Sequence, residues 1–495
     1  MMSASNGAMW RLRIRGAACW FAGAIGLVVA GPAWAQSGTA QQGPAAAGAS
    51  SQPGFFTGLF APSRSNLLGD MGGLRTALGN YGITVTTTDV NEVLGNATGG
   101  VKQGATYEGL TTLTVQLDTG KAFGWQGGTF NVSGLQIRGL NLSQFYLLTL
   151  QTASGIEAAD TTRFWEIWYD QAFLENKFDI KLGQQSLDQE FIVSQGSSVF
   201  MNTMMGWPMV PSADLYAGGP AYPLSSLGVR LRAQPGGPIT VLGGVFQDNP
   251  PGGPFNSDSQ LLGSTRWGGN FNLRTGALMI AEVQYALNQP STGDMVRPGQ
   301  SQGLPGTYKL GALFDTAPFP SPRLDNTGLS LADPASNGVP LMLRNNWSVY
   351  AVMDQMVWQP DPRGPRALGV FARVMGAPGD RNLISFSVNA GVTLKAPLAG
   401  RDDDTLGVGF GVAKVSGSAA ELSRDAGFFS GAFFPTRTSE TFIEVTYQAQ
   451  VAPWWVMQPD IQYVLTPGGG IADPNVPDRR IGNELVLGLR STVTF

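Results

Sequence analysis

From residue 83 onward the chain alternates apolar and polar positions with a period of two, in segments separated by turn-forming stretches. The last segment, 483–495, is the clearest. One side carries Leu485, Leu487, Leu489, Ser491, Val493 and Phe495; the other carries Val486, Gly488, Arg490, Thr492 and Thr494. Successive side chains of a strand point to opposite faces, so one face is greasy and the other small or polar. A strand of a soluble sheet averages about 5–6 residues. A tilted strand of about 9–11 residues is what a bilayer demands. The segment therefore reads as the closing strand of a transmembrane barrel with Phe495 as its terminal aromatic, and taken alone it also fits an edge strand of a large soluble sheet.

Fifteen further segments carry strand character, near 83–94, 107–118, 128–138, 164–174, 178–185, 225–234, 238–247, 274–285, 306–315, 347–358, 367–375, 384–395, 404–415, 440–451 and 454–465. Leu113, Val115 and Leu117 oppose Thr112, Thr114 and Gln116; Leu406, Val408, Phe410 and Val412 oppose three glycines. Apolar-out, polar-in alternation is the signature of a barrel with a wet lumen. Connections alternate between long outer loops (186–224, 248–273, 316–346, 416–439, 466–482) and short inner turns (175–177, 235–237, 396–403, 452–453). The inner connection 286–305 is too long for that scheme and the outer one at 376–383 too brief, which leaves eighteen strands as the rival to sixteen. The expected fold is all-β: a transmembrane antiparallel up-and-down β-barrel over 83–495 with about sixteen strands. Before it, Leu67, Met71, Leu74 and Leu78 share one helical face, predicting a short amphipathic periplasmic helix over 66–82. Aromatics gather near strand ends, as with Trp347, Trp358, Trp454 and Trp455, in the manner of interfacial girdles.

The amino terminus changes the picture by fixing the compartment. Arg11, Arg13 and Arg15 precede an apolar run from 17 to 30 and the small residues of Ala33-Trp34-Ala35. That is a signal peptide, 1–35, too short for a comfortable helical span. Residues 36–54 are rich in Ala, Gln, Ser and Gly, and 36–65 reads as a flexible periplasmic tether. The sole cysteine, Cys19, leaves with the signal peptide, and the formal charge of −4 becomes −7 without the three arginines. A mildly acidic chain with no basic cluster is a poor nucleic-acid binder.

The chain has no histidine, which removes Ser-His-Asp and Cys-His nucleophiles and His-based zinc sites. Asp402-Asp403-Asp404 occupies a short turn and reads as a solvated charge run, so no metal is expected. The glycines of 407–411 alternate as in a strand with no helix after them, which excludes a phosphate loop. A glycosidase needs two carboxylates roughly 5–9.5 Å apart. Glu166, Asp170, Glu282, Glu444 and Asp460 are candidates for such a pair. No catalytic residue and no cofactor is expected.

Several stretches resemble the OprB family of carbohydrate-selective porins. Leu68-Gly69-Asp70-Met71-Gly72-Gly73-Leu74-Arg75 is similar to the family's L-x-G-D-x-G-G-x-R opening motif, with Met71 where an aromatic is usual. Gly128-Thr129-Phe130 leading to Gly139-Leu140-Asn141-Leu142-Ser143, Trp168-Tyr169-Asp170-Gln171 through Leu182-Gly183-Gln184, Glu190-Phe191 and Phe200-Met201-Asn202 follow in the family's order. Glu444-Val445-Thr446-Tyr447, Gln458-Pro459-Asp460-Ile461-Gln462-Tyr463-Val464 and Gly488-Leu489-Arg490 look like its closing strands. The resemblance implies a sixteen-stranded outer-membrane barrel passing monosaccharides and similar neutral solutes through a narrowed pore of charged and aromatic residues.

On the last three strands Glu444, Asp460 and Arg490 face inward by alternation, about 5–7 residues from the periplasmic end. At about 3.3 Å per residue and a tilt near 45° that is roughly 12–16 Å up, near mid-barrel. With Gln448, Gln458, Gln462 and Thr492 they form the expected pore lining. Carboxylate, guanidinium and amide groups replace water at sugar hydroxyls, while a Trp or Tyr carries the CH face. The reading is a passive, sugar-selective porin of the bacterial outer membrane, with small carbohydrates and outer-membrane lipid as partners, no nucleic acid, and monomer and homotrimer both open. A β-rich outer-membrane or secreted glycosidase and an adhesive or structural surface β-protein are the alternatives.

Overall fold

A computed structural model describes residues 64–255, 267–269, 271–289 and 303–495. The expected signal peptide, 1–35, and nearly all of the expected tether, 36–65, lie outside the described residues. The strands are β1 (Ile83–Thr98), β2 (Gly104–Asp118), β3 (Gly128–Gly139), β4 (Thr161–Phe173), β5 (Phe178–Gln185), β6 (Ser226–Gly236), β7 (Ile239–Gln247), β8 (Ala277–Leu287), β9 (Gly306–Asp325), β10 (Pro340–Trp358), β11 (Ala367–Gly376), β12 (Ile384–Lys395), β13 (Thr405–Val415), β14 (Ser439–Ala452), β15 (Trp455–Leu465), β16 (Ala472–Asp473), β17 (Val476–Arg480) and β18 (Glu484–Thr494). Sixteen of them, β1–β15 and β18, close into an antiparallel barrel in which neighbours in sequence are neighbours in space, and β18 seals the ring against β1. Closure leaves no unpaired edge, the condition a sheet must meet in hydrocarbon. The pair β16–β17 is a separate small ribbon in the outer connection before β18.

Each strand takes up the alternation in its sequence. On β18 Leu487 and Leu489 are exposed on the outer wall while Glu484 and Val486 are buried inside. On β14 Ile443 and Val445 face out, and Glu440, Phe442 and Glu444 face in. Trp454 and Trp455 stack at the β14–β15 turn with ring centroids 6.0 Å apart.

Two expectations are corrected. The helix is shorter than 66–82: a 3-10 turn covers Met71–Gly73 and the α-helix only Leu74–Asn80. Gly72 and Gly73 adopt φ of 68° and 93°, a left-handed backbone that glycine alone enters freely and that stops a helix from running through. The expected outer loop 316–346 is instead mostly strand, because β9 and β10 extend for 20 and 19 residues. Pro318, Pro320 and Pro322 disguise it. Proline inside a run argues against a strand, yet here Ala317, Phe319 and Ser321 alternate with them as the buried face.

The other large departure is where the outer loops go. The β3–β4 connection (140–160) and the β5–β6 connection (186–225) turn into the barrel. Phe191, Ile192, Phe200, Met204, Met205 and Met209 from the second of these join inward-facing Phe246, Ile280, Tyr350, Phe371 and Phe442 in one buried cluster. Leu142, Leu147 and Ala153 of the first pack with Leu94, Met201 and Val486. The lumen is thus partly filled by a core of its own.

Candidate functional site

Inward-facing carboxylates fix these loops by accepting their backbone N–H groups. Glu444 on β14 accepts from Met201 at 2.5 Å and Asn202 at 3.2 Å. Glu440, two pleat repeats higher on the same strand, accepts from Leu150 at 2.7 Å, Gln151 at 2.6 Å and Gly468 at 2.7 Å. Glu282 on β8 takes Ile192 at 2.9 Å, Asp354 on β10 takes Gly196 at 2.8 Å, and Glu108 on β2 takes Leu142 at 3.0 Å. Arg373 on β11 does the converse, donating to the carbonyls of Met204, Gly206 and Ile192 at 2.5, 2.8 and 3.3 Å. Each of these wall side chains thus ties down a specific peptide of the loop.

The wall also makes room. Gly407 and Gly409 on β13 lie against the ring of Phe200, and a Cβ on either would stand 2.9 Å from it. These two glycines are therefore the seat of the loop, whereas Gly411 on the same strand meets Phe442 and Asn389 of the wall. Asp214, at the end of the loop helix Met209–Asp214, accepts from the N–H of Ile384 at 3.1 Å, and its burial pushes the carboxyl well above the usual range.

The seven residues expected to line the pore all lie on the inner wall, and most of them hold loop. Gln458 donates to Val199 O at 2.9 Å and Thr446 Oγ1 at 2.8 Å; Gln448 reaches the same carbonyl at 3.2 Å. Gln462 donates to Ala153 O at 2.7 Å and Asp460 Oδ1 at 3.0 Å, and accepts from Asn202 at 3.1 Å. Arg490 Nε pairs with Glu92 Oε1 of β1 at 2.5 Å and Nη2 approaches Ser154 Oγ at 3.5 Å. Glu444, Asp460, Gln458 and Gln462 are buried, whereas Gln448, Arg490 and Thr492 keep part of their surface free. In the β12–β13 turn Asp402 and Asp403 are exposed as expected, but Asp404 is buried, accepting from Arg401 at 2.8 Å, Gln450 N at 2.9 Å and Tyr447 at 2.5 Å. Among the described residues no group of three acidic side chains is placed to hold a metal ion.

Above the loops the barrel opens into a cavity of about 710 Å³. Thr152, Glu157, Thr203, Trp207, Tyr222 and Arg381 are among its lining residues. Glu157 accepts from the N–H and hydroxyl of Ser143 at 3.1 and 2.7 Å, and loss of water around its carboxylate pushes it up to about 7. Trp207 is held by an Nε1 hydrogen bond to Gly218 O at 2.9 Å. The rim is braced by Arg323 of β9, which pairs with Asp425 at 2.8 Å and with Glu421, both on the helix Gly417–Ser430. Below the loops, β4–β6 carry a ladder of charges: Arg230 pairs with Asp179 and with Glu190 at 2.6 Å, Arg232 with Asp179 at 2.5 Å, and Lys181 stands 4.3 Å over the Trp168 ring.

Sequence reasoning missed the loop ligands. Glu440 and Arg373 share the inward parity that singled out Glu444, and the segment from Phe191 to Val210 is too apolar for a solvated loop; both signals stood in the sequence. With this geometry in view, the chain matches the family model described as carbohydrate-selective porin, OprB family, over residues 102–495. Porin B of Pseudomonas aeruginosa is 25% identical over 88% of this chain and 92% of its own length. Putative porin QuiX of Acinetobacter baylyi is 23% identical over 85% and 92% respectively. The high-pH structure of Pseudomonas putida OprB superposes with a TM-score of 0.75, at 23% identity over 88% of this chain and 99% of that one.

Proposed function

The chain belongs to the OprB family of carbohydrate-selective porins, and from that premise we propose that it passes monosaccharides by passive diffusion through the outer cavity and along the loop-lined lumen. It is an outer-membrane sugar porin. The observation that carries the finer reading is the cavity of about 710 Å³ whose wall mixes an aromatic face, Trp207, with the hydroxyls and carboxylate of Thr152, Thr203 and Glu157. A pyranose has that same division between a CH face and a hydroxyl rim. Arg490, Gln448 and Thr492, the pore-lining candidates with free surface, continue the passage in this reading; Glu444, Asp460, Gln458 and Gln462 set its width by holding the loops. Binding stays weak at each station, because a solute held tightly would not leave.

A channel rather than an enzyme is also favoured by the carboxylates. Glu444 is buried with both oxygens taken by the N–H groups of Met201 and Asn202, whereas a glycosidase keeps its carboxylates open to a sugar that lies between them, roughly 5–9.5 Å apart. The test is uptake of radiolabelled glucose, a disaccharide and a small peptide into liposomes carrying the purified protein. Saturable glucose entry that outpaces the other two supports the proposal. Equal, unsaturable entry of all three overturns sugar selectivity, and release of free sugar from an aryl glycoside overturns the channel-only reading.

A further inference from the structure

Glu484 opens β18 at the outer end of the barrel and points inward. Its side chain is fully buried, and neither carboxylate oxygen has a hydrogen-bond partner. The wall glutamates at 440 and 444 spend both oxygens on loop N–H groups; this one meets none. Among the described residues the one charge that bears on it is that of Glu440, a second carboxylate. Lys102, in the β1–β2 connection, turns its ammonium to Tyr146, 3.3 Å from the hydroxyl and 4.4 Å from the ring centroid. Asn96 on β1 borders the same space. Its Nδ2 donates to the carbonyls of Gly99 and Lys102 at 3.0 and 2.9 Å, and its Oδ1 is buried without a donor. Two glycines let the backbone close in. A Cβ on Gly100 would stand 2.5 Å from the Asn96 amide nitrogen and from Tyr146 O, and 3.3 Å from Glu484 Oε1. A Cβ on Gly99 would run into the carbonyl of Asn483 and stand 2.7 Å from that of Gly482.

Carboxylate, amide and carbonyl oxygens therefore converge on one small space around the turn at Gly99 and Gly100. A charge shut away from water without a partner is costly, so such a carboxylate takes up a proton or a cation. A proton satisfies one of the three unmet oxygens; a hard cation engages all of them. Calcium takes six to eight oxygen ligands in a flexible arrangement, whereas magnesium demands octahedral geometry and gives up its waters reluctantly. We propose that Glu484 and Asn96 hold a calcium ion at the outer end of the β1–β18 seam, with the carbonyls of Gly482 and Asn483 and water completing its shell. The ion ties the first residues of β18 to the β1–β2 connection at the place where the ring closes. One free carboxylate sets a modest affinity, in the range of about 0.1–1 mM that suits a site facing the exterior.

The experiment uses the full chain, folded into detergent without lipopolysaccharide, whose phosphates bind calcium themselves, and stripped with EGTA. Terbium, which shares calcium's preference for oxygen, should bind saturably, with luminescence excited through nearby aromatic rings. Calcium should displace it and magnesium should not. Luminescence lifetimes in H2O and D2O should show most of the ion's water shell lost, as an enclosed site requires. Calcium should also raise the Tm of the native barrel. Glu484→Gln keeps the shape and removes the charge, so it should lose both saturable binding and the rise in Tm. Asp402→Asn with Asp403→Asn, on the exposed β12–β13 turn, should change neither. Absence of saturable binding overturns the proposal and leaves Glu484 a protonated acid. Displacement by magnesium as readily as by calcium, a bound terbium that keeps its water shell, or unchanged binding in Glu484→Gln overturns it too. Should Glu484→Gln not fold, the competition and the lifetimes decide alone. None of these readouts depends on which solute the pore carries.

Discussion

Glu444 on β14 accepts the backbone N–H of Met201 at 2.5 Å, although the two residues stand 243 positions apart. The neighbouring N–H of Asn202 points at the other carboxylate oxygen, at 3.2 Å. One side chain thereby satisfies two successive loop peptides that are shut off from water. Buried N–H groups left without acceptors are among the costlier faults in a fold, so the position of this acceptor on the wall decides where the loop lies.

Glu444→Gln should loosen that loop without unfolding the barrel. The glutamine has one acceptor where the carboxylate has two, and its amide turns a donor toward an N–H. A buried N–H left without its acceptor costs about 1–3 kcal/mol, a loss that falls on loop docking while the strand ladders are untouched. Single-channel recordings should show larger and noisier currents, and amide exchange should quicken at 199–203. Unchanged current and protection would mean that the apolar cluster alone holds the loop.

The barrel was legible because its signal is repeated: a period of two, imposed by one lipid face and one wet face, recurs in strand after strand. It failed at β9, where Pro318, Pro320 and Pro322 occupy alternate positions and erase the polar half of the pattern. The orientation of Glu444, Asp460 and Arg490 followed from the same periodicity. Their contacts did not, because hydrogen bonds to Met201, Asn202 and Ser154 depend on loops whose path through the lumen leaves no period in the sequence. The apolar content of 191–210 was the available sign that this loop is buried.

Gly409→Val tests the seat of the loop from the opposite side. A Cβ at this position meets Phe200 and the end of Met205, each at 2.9 Å. Overpacking of this kind costs about 1–3 kcal/mol, and it is the loop rather than the strand that yields. The variant should assemble in normal amounts, with conductance raised as in Glu444→Gln. Val408→Ala, on the lipid side of the same strand, should leave conductance at the native value.

Acid should tighten the β3–β4 loop through Glu157. Its carboxyl stands raised from 4.5 to about 7, chiefly by loss of water and partly by the charge of Glu92, against the hydrogen bonds from Ser143 that favour ionisation. A raised value means that the folded loop holds the proton more tightly than the free chain does. The stabilisation is complete below about 4.5 and is lost as pH rises through about 7. Amide exchange at 140–160 should quicken across that interval beyond its intrinsic pH dependence. Glu157→Gln should flatten the excess; an excess of the same size in that variant would assign it to another group.

Arg490 and Leu489 are adjacent in β18 and face opposite solvents, so exchanging their character separates lumen from lipid. Arg490→Ala withdraws the partner of Glu92, whose side chain is fully buried. Breaking a buried pair from one side costs about 3–5 kcal/mol; the Arg490 side chain retains 16% of its surface exposed, which places the loss toward the lower end. An unpaired negative charge then stands in the passage, so ion selectivity should shift toward cations and saturable glucose flux should fall. Adding Glu92→Gln should restore both stability and neutral selectivity, because it removes the orphaned charge. Leu489→Arg instead sends a guanidinium into hydrocarbon, at about 2–4 kcal/mol if it sits at the midplane. It should lower the yield of folded barrel while the barrels that do assemble conduct normally. Urea unfolding in detergent and reversal potentials in planar bilayers measure the two effects apart. If Leu489→Arg alters selectivity and Arg490→Ala alters only insertion, the inward and outward faces of this strand have been exchanged, and the Arg490–Glu92 pair cannot exist.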